Sequence, residues 1–371
     1  MRLGLALLAF AGLNGSADAG TLRKIWDSVI PGAESRAVPL GIFALGFSRD
    51  GQQIALVVGK SDREESVLIL NARDASYVKL DLNPQISEHE PGGSRRIEWS
   101  LSGQQVILAN KVVRVSDGAA CTLPGIAPVP GYRFIGATQV VGFQFKPSRV
   151  AFFDLDCQVT STWELPEGER LDKYDASAER SLLFATQSRV SGVTLTEVSR
   201  IAIDVNSKKI VKTLPKWTSA TALTLSAAIS FDPQFADSGK AFCWIRGETW
   251  HRIVGCSAVD TDQVYSVTKE WNDPDVRTAL GAPRIIISDY SKKLDWIDFF
   301  WYSGAPRMRM VWDFQASKEL VRWRPKEQKV FTGSASHTTS TRQPYRFDIS
   351  PDGSYIVEGG AGVVSLYKIE P

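Results

Sequence analysis

The chain holds three histidines, His89, His251 and His337, and four cysteines, Cys121, Cys157, Cys243 and Cys256. No histidine stands in an H-x-H or H-E-x-x-H spacing, so none forms a ready zinc pair. His89 lies in Ser87-Glu88-His89-Glu90-Pro91-Gly92-Gly93, a polar loop. Its flanking carboxylates would favour the imidazolium, which suits a pH-sensitive contact as well as plain solvation. His251 follows Trp250 on a hairpin arm, where packing or hydrogen bonding is its expected role. His337 sits in a run of Thr, Ser, Gly and Ala from 332 to 341, which reads as a linker. Ser266-Val267-Thr268-Lys269 fits S-x-x-K, but it falls on a strand pattern, with no S-D-N or K-T-G beside it. Gly46-Phe47-Ser48-Arg49-Asp50 lacks the second glycine of a nucleophile elbow. Gly359-Gly360-Ala361-Gly362 lacks the lysine of a phosphate loop and reads as a hairpin turn. Asp260-Thr261-Asp262 and Asn272-Asp273-Pro274-Asp275 offer oxygens without the glycine and distal glutamate of a calcium loop. The residues present therefore point to no cofactor and to no assembled catalytic set.

The most suggestive surface is aromatic and basic. Trp296-Ile297-Asp298-Phe299-Phe300-Trp301-Tyr302 precedes Arg307-Met308-Arg309-Met310. On a strand the first run would alternate its rings between two faces, and most would be core. Tyr302, next to the turn Ser303-Gly304-Ala305-Pro306, would stand at a hairpin tip. Tyr302, Arg307 and Arg309, with His89, are the candidate ligand or partner contacts, because Tyr and Arg dominate interface energetics. Packing and solvated charge are the competing readings.

The elements that position these residues begin with an address. Met1-Arg2, the apolar run from Leu3 to Leu13, and Ala17-Asp18-Ala19 form the three parts of a secretory signal, with cleavage expected after Ala19. The apolar run is too short for a membrane anchor, and no later segment approaches a membrane span. Residues 20–371 are then expected as one exported domain, secreted or periplasmic. Lys plus Arg is 43 and Asp plus Glu is 41, a net charge of +2. That field recruits neither nucleic acid nor an acidic membrane by charge alone.

The body repeats. Phe47-Ser48-Arg49-Asp50-Gly51-Gln52-Gln53-Ile54, Trp99-Ser100-Leu101-Ser102-Gly103-Gln104-Gln105-Val106 and Phe347-Asp348-Ile349-Ser350-Pro351-Asp352-Gly353-Ser354-Tyr355 share one pattern. Each runs strand, tight turn ending in glycine, strand, with serine or aspartate to bond the turn and glycine to supply positive φ. Looser copies span Tyr132–Phe145, Tyr174–Thr186, Ile229–Ile245 and Ile285–Phe300, the last expected to turn at Tyr290-Ser291-Lys292-Lys293. Six intervals separate Gly51 from Gly353, about 50 residues each, within the range of propeller blades. Third and fourth strands follow, as in Ile201–Val205 and Ile210–Leu214. This predicts an all-β, seven-bladed β-propeller of four-stranded antiparallel blades. The last repeat is one strand short, and Leu22–Ile30 is expected to complete it and close the ring; a six-bladed ring with an extra sandwich element is the alternative. An exported chain can keep disulfides. Proximity within the repeats favours Cys243–Cys256 and Cys121–Cys157, against other pairings or buried free thiols.

On these turns, strand pairs and the seven-fold count, the chain resembles the WD40-like and TolB-like seven-bladed propellers of exported bacterial proteins. The resemblance implies a fold and an interaction protein, and it carries over no functional residue. A non-catalytic platform, monomeric and binding a protein or envelope component through its loops, is the expected function. The alternatives are a lactonase- or quinoprotein-like enzyme at the channel mouth and, from 11 Trp and 9 Tyr, a carbohydrate- or cell-wall-binding surface.

Overall fold

The computed structural model describes residues 20–30, 41–59, 65–80, 97–108, 110–124, 131–145, 148–165, 169–191, 194–214, 234–248, 251–267, 269, 271, 274–290, 306–325, 332–334, 337–339, 346–360 and 362–370. They form seven four-stranded antiparallel sheets arranged as the blades of a ring, joined in sequence order. The innermost strands of blades 1 to 7 are Gly41–Phe47, Glu98–Trp99, Arg133–Ile135, Glu169–Ser177, Gln234–Ala236, Pro274–Thr278 and Arg346–Ile349. The outermost strand of blade 7 is Thr21–Val29, paired antiparallel with Val363–Glu370 in the register Leu22↔Ile369 through Val29↔Val363. The ring is thus closed by the amino-terminal strand, as the sequence led us to expect. Among the described residues no helix is long and apolar enough to cross a membrane.

Closure also shows in the core. Middle strands such as Gln53–Gly59 are buried on both faces, so they read as unbroken apolar runs rather than alternating ones. Ile54, Leu56 and Val58 turn toward blade 7, packing near Val357, Val364 and Leu366. Ala55 and Val57 turn the other way and meet Trp99, Val106 and Val113 of blade 2. Seven such apolar clusters are found among the described residues, each straddling one seam. An open stack of seven blades would have six seams.

The repeated turns close through side chains. Ser48 Oγ accepts from Gln53 N–H at 2.9 Å and donates to Asp50 Oδ1 at 2.6 Å. Ser100 Oγ accepts from Gln105 N–H at 3.1 Å, and Ser350 Oγ from Tyr355 N–H at 2.9 Å. Gly51, Gly103 and Gly353 follow with φ of 70°, 68° and 68°, which a side chain would resist.

Two expectations are corrected. The first hairpin of blade 6 does not start at Ile285, and the expected turn residues Ser291-Lys292-Lys293 lie outside the described residues. That hairpin pairs Pro274–Thr278 with Arg284–Tyr290, so Ile285-Ile286-Ile287 lies on the second strand. The physical reason is burial: all three isoleucines are fully buried between neighbours, whereas the innermost strand carries Asp275 and Arg277. The segment around His337 is not wholly linker either. Thr332–Ser334 pairs with His337–Thr339 as a small separate hairpin, consistent with the strand preference of its threonines.

Candidate functional site: the central channel

The innermost strands converge on the axis, so their side chains decide what the channel can do. Two positions before the turn serine stand Glu98, Asp175 and Asp348, in Glu98-Trp99-Ser100, Asp175-Ala176-Ser177 and Asp348-Ile349-Ser350. Asp348 Oδ2 accepts the N–H of Phe47 at 2.9 Å, joining blade 7 to blade 1. Asp175 Oδ2 accepts the N–H of Phe235 at 2.8 Å, and its Oδ1 accepts Arg133 Nε at 3.1 Å. This one buried carboxylate therefore joins blades 3, 4 and 5. Glu98 Oε1 accepts Arg49 Nη2 at 3.3 Å, and Arg49 Nη1 reaches Glu179 Oε1 at 2.9 Å. Arg49 belongs to blade 1 and Glu179 to the first turn of blade 4, so this guanidinium crosses from one side of the ring mouth toward the other.

Blades 5 and 6 use neutral groups for the same task. Gln234 Oε1 accepts Thr278 N–H at 3.2 Å, its Nε2 donates to Val276 O, and Thr278 Oγ1 donates to Phe235 O at 2.6 Å. Arg277 Nη1 bonds Asp275 Oδ1 at 3.0 Å on its own strand. A polar group buried without a partner costs heavily, so strands facing a narrow axis must pair across seams. The channel beside Arg49, Glu98, Arg277 and Asp348 leaves about 40 Å³ open to water. That is room for roughly three water molecules. Among the described residues, no group of three or more His, Cys, Asp or Glu could hold a metal ion.

The residues singled out from sequence are placed as follows. His89 and Tyr302 lie outside the described residues, as does the run from Trp296 to Tyr302. Arg307 lies on the strand Pro306–Asp313. Arg309 lies on the same strand with no exposed surface. It donates to Glu358 Oε1 of blade 7 and through Nε to Ser288 Oγ at 3.2 Å. Its guanidinium lies 4.4 Å from the centroid of the Phe347 ring, and that of Arg277 lies 5.6 Å from the same ring. Trp323 Nε1 donates to Glu358 Oε1 at 3.2 Å. Arg309 therefore stitches blades 6 and 7 from within. Both preferred disulfides are formed. Cys243–Cys256 joins directly opposed positions of blade 5, and Cys121–Cys157 links the outer strand of blade 2 to a turn of blade 3. The channel carboxylates were not singled out from sequence. Their signal was positional: an acidic residue recurring two places before the turn serine.

A closed seven-bladed propeller with carboxylates of its innermost strands bonded to neighbouring blades is the class that fold and site define, and it is the WD40-like architecture expected from the turns. The solved structures agree on the fold. The chain superposes on the β-propeller domain of Cps50 (Swd1) from Myceliophteria thermophila with a TM-score of 0.55 at 14% identity, covering 89% of this chain and 96% of that one. It matches a chain of Kuenenia stuttgartiensis hydrazine synthase with a TM-score of 0.57 at 11% identity, covering 92% and 99%. A chain of a mitotic checkpoint complex gives a TM-score of 0.56 at 10% identity, covering all of both chains. No protein-family model matches the sequence, and no curated protein matches it.

Proposed function

We propose that this is an exported propeller, residues 20–371 behind a cleaved leader, that binds a protein or envelope component through its loops and catalyses nothing. The observation that carries this reading is the pairing on the innermost strands, where Glu98 and Asp175 are bonded to guanidinium groups of neighbouring blades. Two disulfides and a balanced charge support an oxidising compartment and a partner other than nucleic acid.

Topology favours one end of the ring. In blades 1 to 6 the first and third turns lie at one end, and the connection between second and third strands lies at the other. The connections 81–97 and 291–305, which hold His89 and Tyr302, both leave from that second end, where Arg307 also begins its strand. Connections of this length are uncommon in compact domains and are usually functional. The test is binding of an identified envelope partner, cross-linked and recovered on the immobilised chain, then titrated in purified form. Tyr302→Ala and Arg307→Ala should each weaken it at least about tenfold, the scale of a modest hot spot. Unchanged binding by both variants would remove these contacts. Clear turnover in a hydrolase and dye-reduction panel would overturn the non-catalytic reading itself.

A further inference from the structure

We propose that Lys269, seated on Trp271 and Met308 where blade 5 passes to blade 6, is the docking point for a carboxylate of an acidic, partly apolar peptide segment. This rests on the platform reading and deepens it, because it names the chemistry that one spot on the ring recognises.

The spot is built from the chain upward. His251–Ala258 is the third strand of blade 5 and Val264–Ser266 the fourth. The connection onward to Pro274–Thr278 of blade 6 therefore leaves from the same end of the ring as 81–97 and 291–305. That connection is pinned at Trp271. Arg252 N–H donates to Trp271 O at 2.9 Å, and Trp271 N–H donates to Arg252 O at 2.8 Å. The indole is buried in the core shared by blades 5 and 6. Two residues earlier stands Lys269, which is exposed. Its ammonium lies 4.8 Å from the centroid of the Trp271 ring. It also donates weakly to Met308 Sδ at 3.9 Å, near the start of Pro306–Asp313 in blade 6.

A surface lysine ordinarily loses rotamer freedom when it meets a carboxylate, which is one reason exposed ion pairs contribute little. Lys269 is already held. The ring face and the thioether attract its ammonium without neutralising it. No carboxylate among the described residues pairs with it. Trp271 Nε1 is buried and has no acceptor, so an oxygen that reached it would gain a bond that the free chain lacks. The charge is single and its neighbours are apolar. Nucleic acid and anionic bilayers are held by many cations at once, and a net charge of +2 gives them little. A carboxylate carried next to an apolar side chain matches both parts of the spot, the acid on Lys269 and the apolar group against Met308.

The test is a displayed library of short random peptides selected on the purified, oxidised chain, with the enriched peptides synthesised and titrated by fluorescence anisotropy. Enriched sequences should set Asp or Glu beside an apolar residue. Lys269→Met should weaken them at least about fivefold, and Lys269→Arg should restore most of the loss. Replacing the peptide's acid by its amide should weaken binding to wild type and change binding to Lys269→Met much less, which closes a double-mutant cycle. Lys269 is exposed, so its variants should melt within about 1 °C of wild type. Enriched peptides without an acid, or peptides that bind Lys269→Met as tightly as wild type, overturn the proposal. If those peptides are weakened by Tyr302→Ala or Arg307→Ala, the platform reading stands without it. Retention on phosphatidylserine vesicles that Lys269→Met abolishes, with no acidic peptide enriched, assigns the spot to a lipid surface and overturns the proposal too. No enrichment at all overturns it, and if cross-linking also recovers no partner, the platform reading falls with it.

Discussion

Replacing Arg309 by Met removes half of a buried ion pair and leaves the Glu358 carboxylate, 8% exposed, held by Trp323 but without its countercharge. The cost has two parts. A charge stays behind that is neither hydrated nor compensated, and the contact with the Phe347 ring is lost. Removing one partner of such a pair costs about 3–5 kcal/mol. A folded chain of about 350 residues unfolds with an entropy of about 0.7 kcal/mol/K, from about 2.1 cal/mol/K per residue. The expected drop in melting temperature is therefore about 4–7 °C by that same scaling. Glu358→Gln keeps an acceptor for Trp323 Nε1 and loses the charge. The double variant Arg309→Met with Glu358→Gln removes both charges together, so it should be more stable than Arg309→Met alone. Calorimetric melts of wild type, both singles and the double close the cycle. A melting temperature for Arg309→Met within about 1 °C of wild type, on the same scaling, would refute the buried pair as a structural tie. So would a double variant whose loss equals the sum of the singles, because no coupling would then exist. A third pattern, normal melting with lost partner binding, would return Arg309 to the contact role read from sequence.

Three further outcomes are expected. Cys121 and Cys157 lie 36 residues apart and Cys243 and Cys256 lie 13 apart. Loop-closure entropy puts about 4 kcal/mol on the first bridge and about 3 on the second, so Cys121→Ser with Cys157→Ser should melt lower than Cys243→Ala with Cys256→Ala. Gly255→Ala would place a Cβ 2.6 Å from the Trp244 ring, which faces it across the strands and bonds Ser257 Oγ at 3.1 Å. A loss of about 1–3 kcal/mol is expected, read by melting and by a shift in tryptophan emission. Several turn carboxylates are held below their ordinary pKa: Asp74 by Ser76, Asp117 by the Ala119 N–H, Asp204 by the Ser207 N–H and Asp260 by Arg180. For Asp352, burial pushes upward and the bonds from Ser350 and Ser354 outweigh it. A depressed folded pKa gives stability that is present above the unfolded value of about 4 and lost as pH falls through the folded one, so melting should stay flat above about pH 5 and fall below about pH 4. A melting profile that falls first on the alkaline side would contradict this.

How much of this was legible follows from the distance over which each feature acts. The turns were legible because Ser48, Ser100 and Ser350 bond residues four or five places on. The closing strand was legible because a missing fourth strand and a spare first one leave a single tidy solution. Blade 6 was misread because the isoleucine run 285–287 looked like the start of a repeat, whereas the innermost strand of this blade is the half-polar Pro274–Thr278. Arg309 sits in an alternating basic and apolar stretch that reads as a candidate contact, with packing as a competing reading. Its carboxylate lies 49 residues later on another blade. The bond from Phe47 to Asp348 spans 301 residues and that from Arg49 to Glu179 spans 130. No local pattern announces such pairs. Only the recurrence of an acid two places before the turn serine hints at them.

That recurrence also says what the channel charges do. The apolar seams are permissive, because leucine, valine and isoleucine slide past one another at modest cost. A carboxylate that accepts one particular N–H on the next blade is not permissive. A one-residue slip of the strand holding Asp175 would turn its side chain to the opposite face and strand it beside apolar neighbours. Asp175 and Asp348 thus fix how adjacent blades align, and Glu98 with Arg49 fixes blades 1, 2 and 4 at one mouth. Groups committed to alignment are held rigid and paired, which is the opposite of what proton transfer or ligand exchange requires. On the proposed platform role, the contacts with a partner are expected outside this alignment network, at the ring's ends and rim, where a change of side chain leaves the seams untouched.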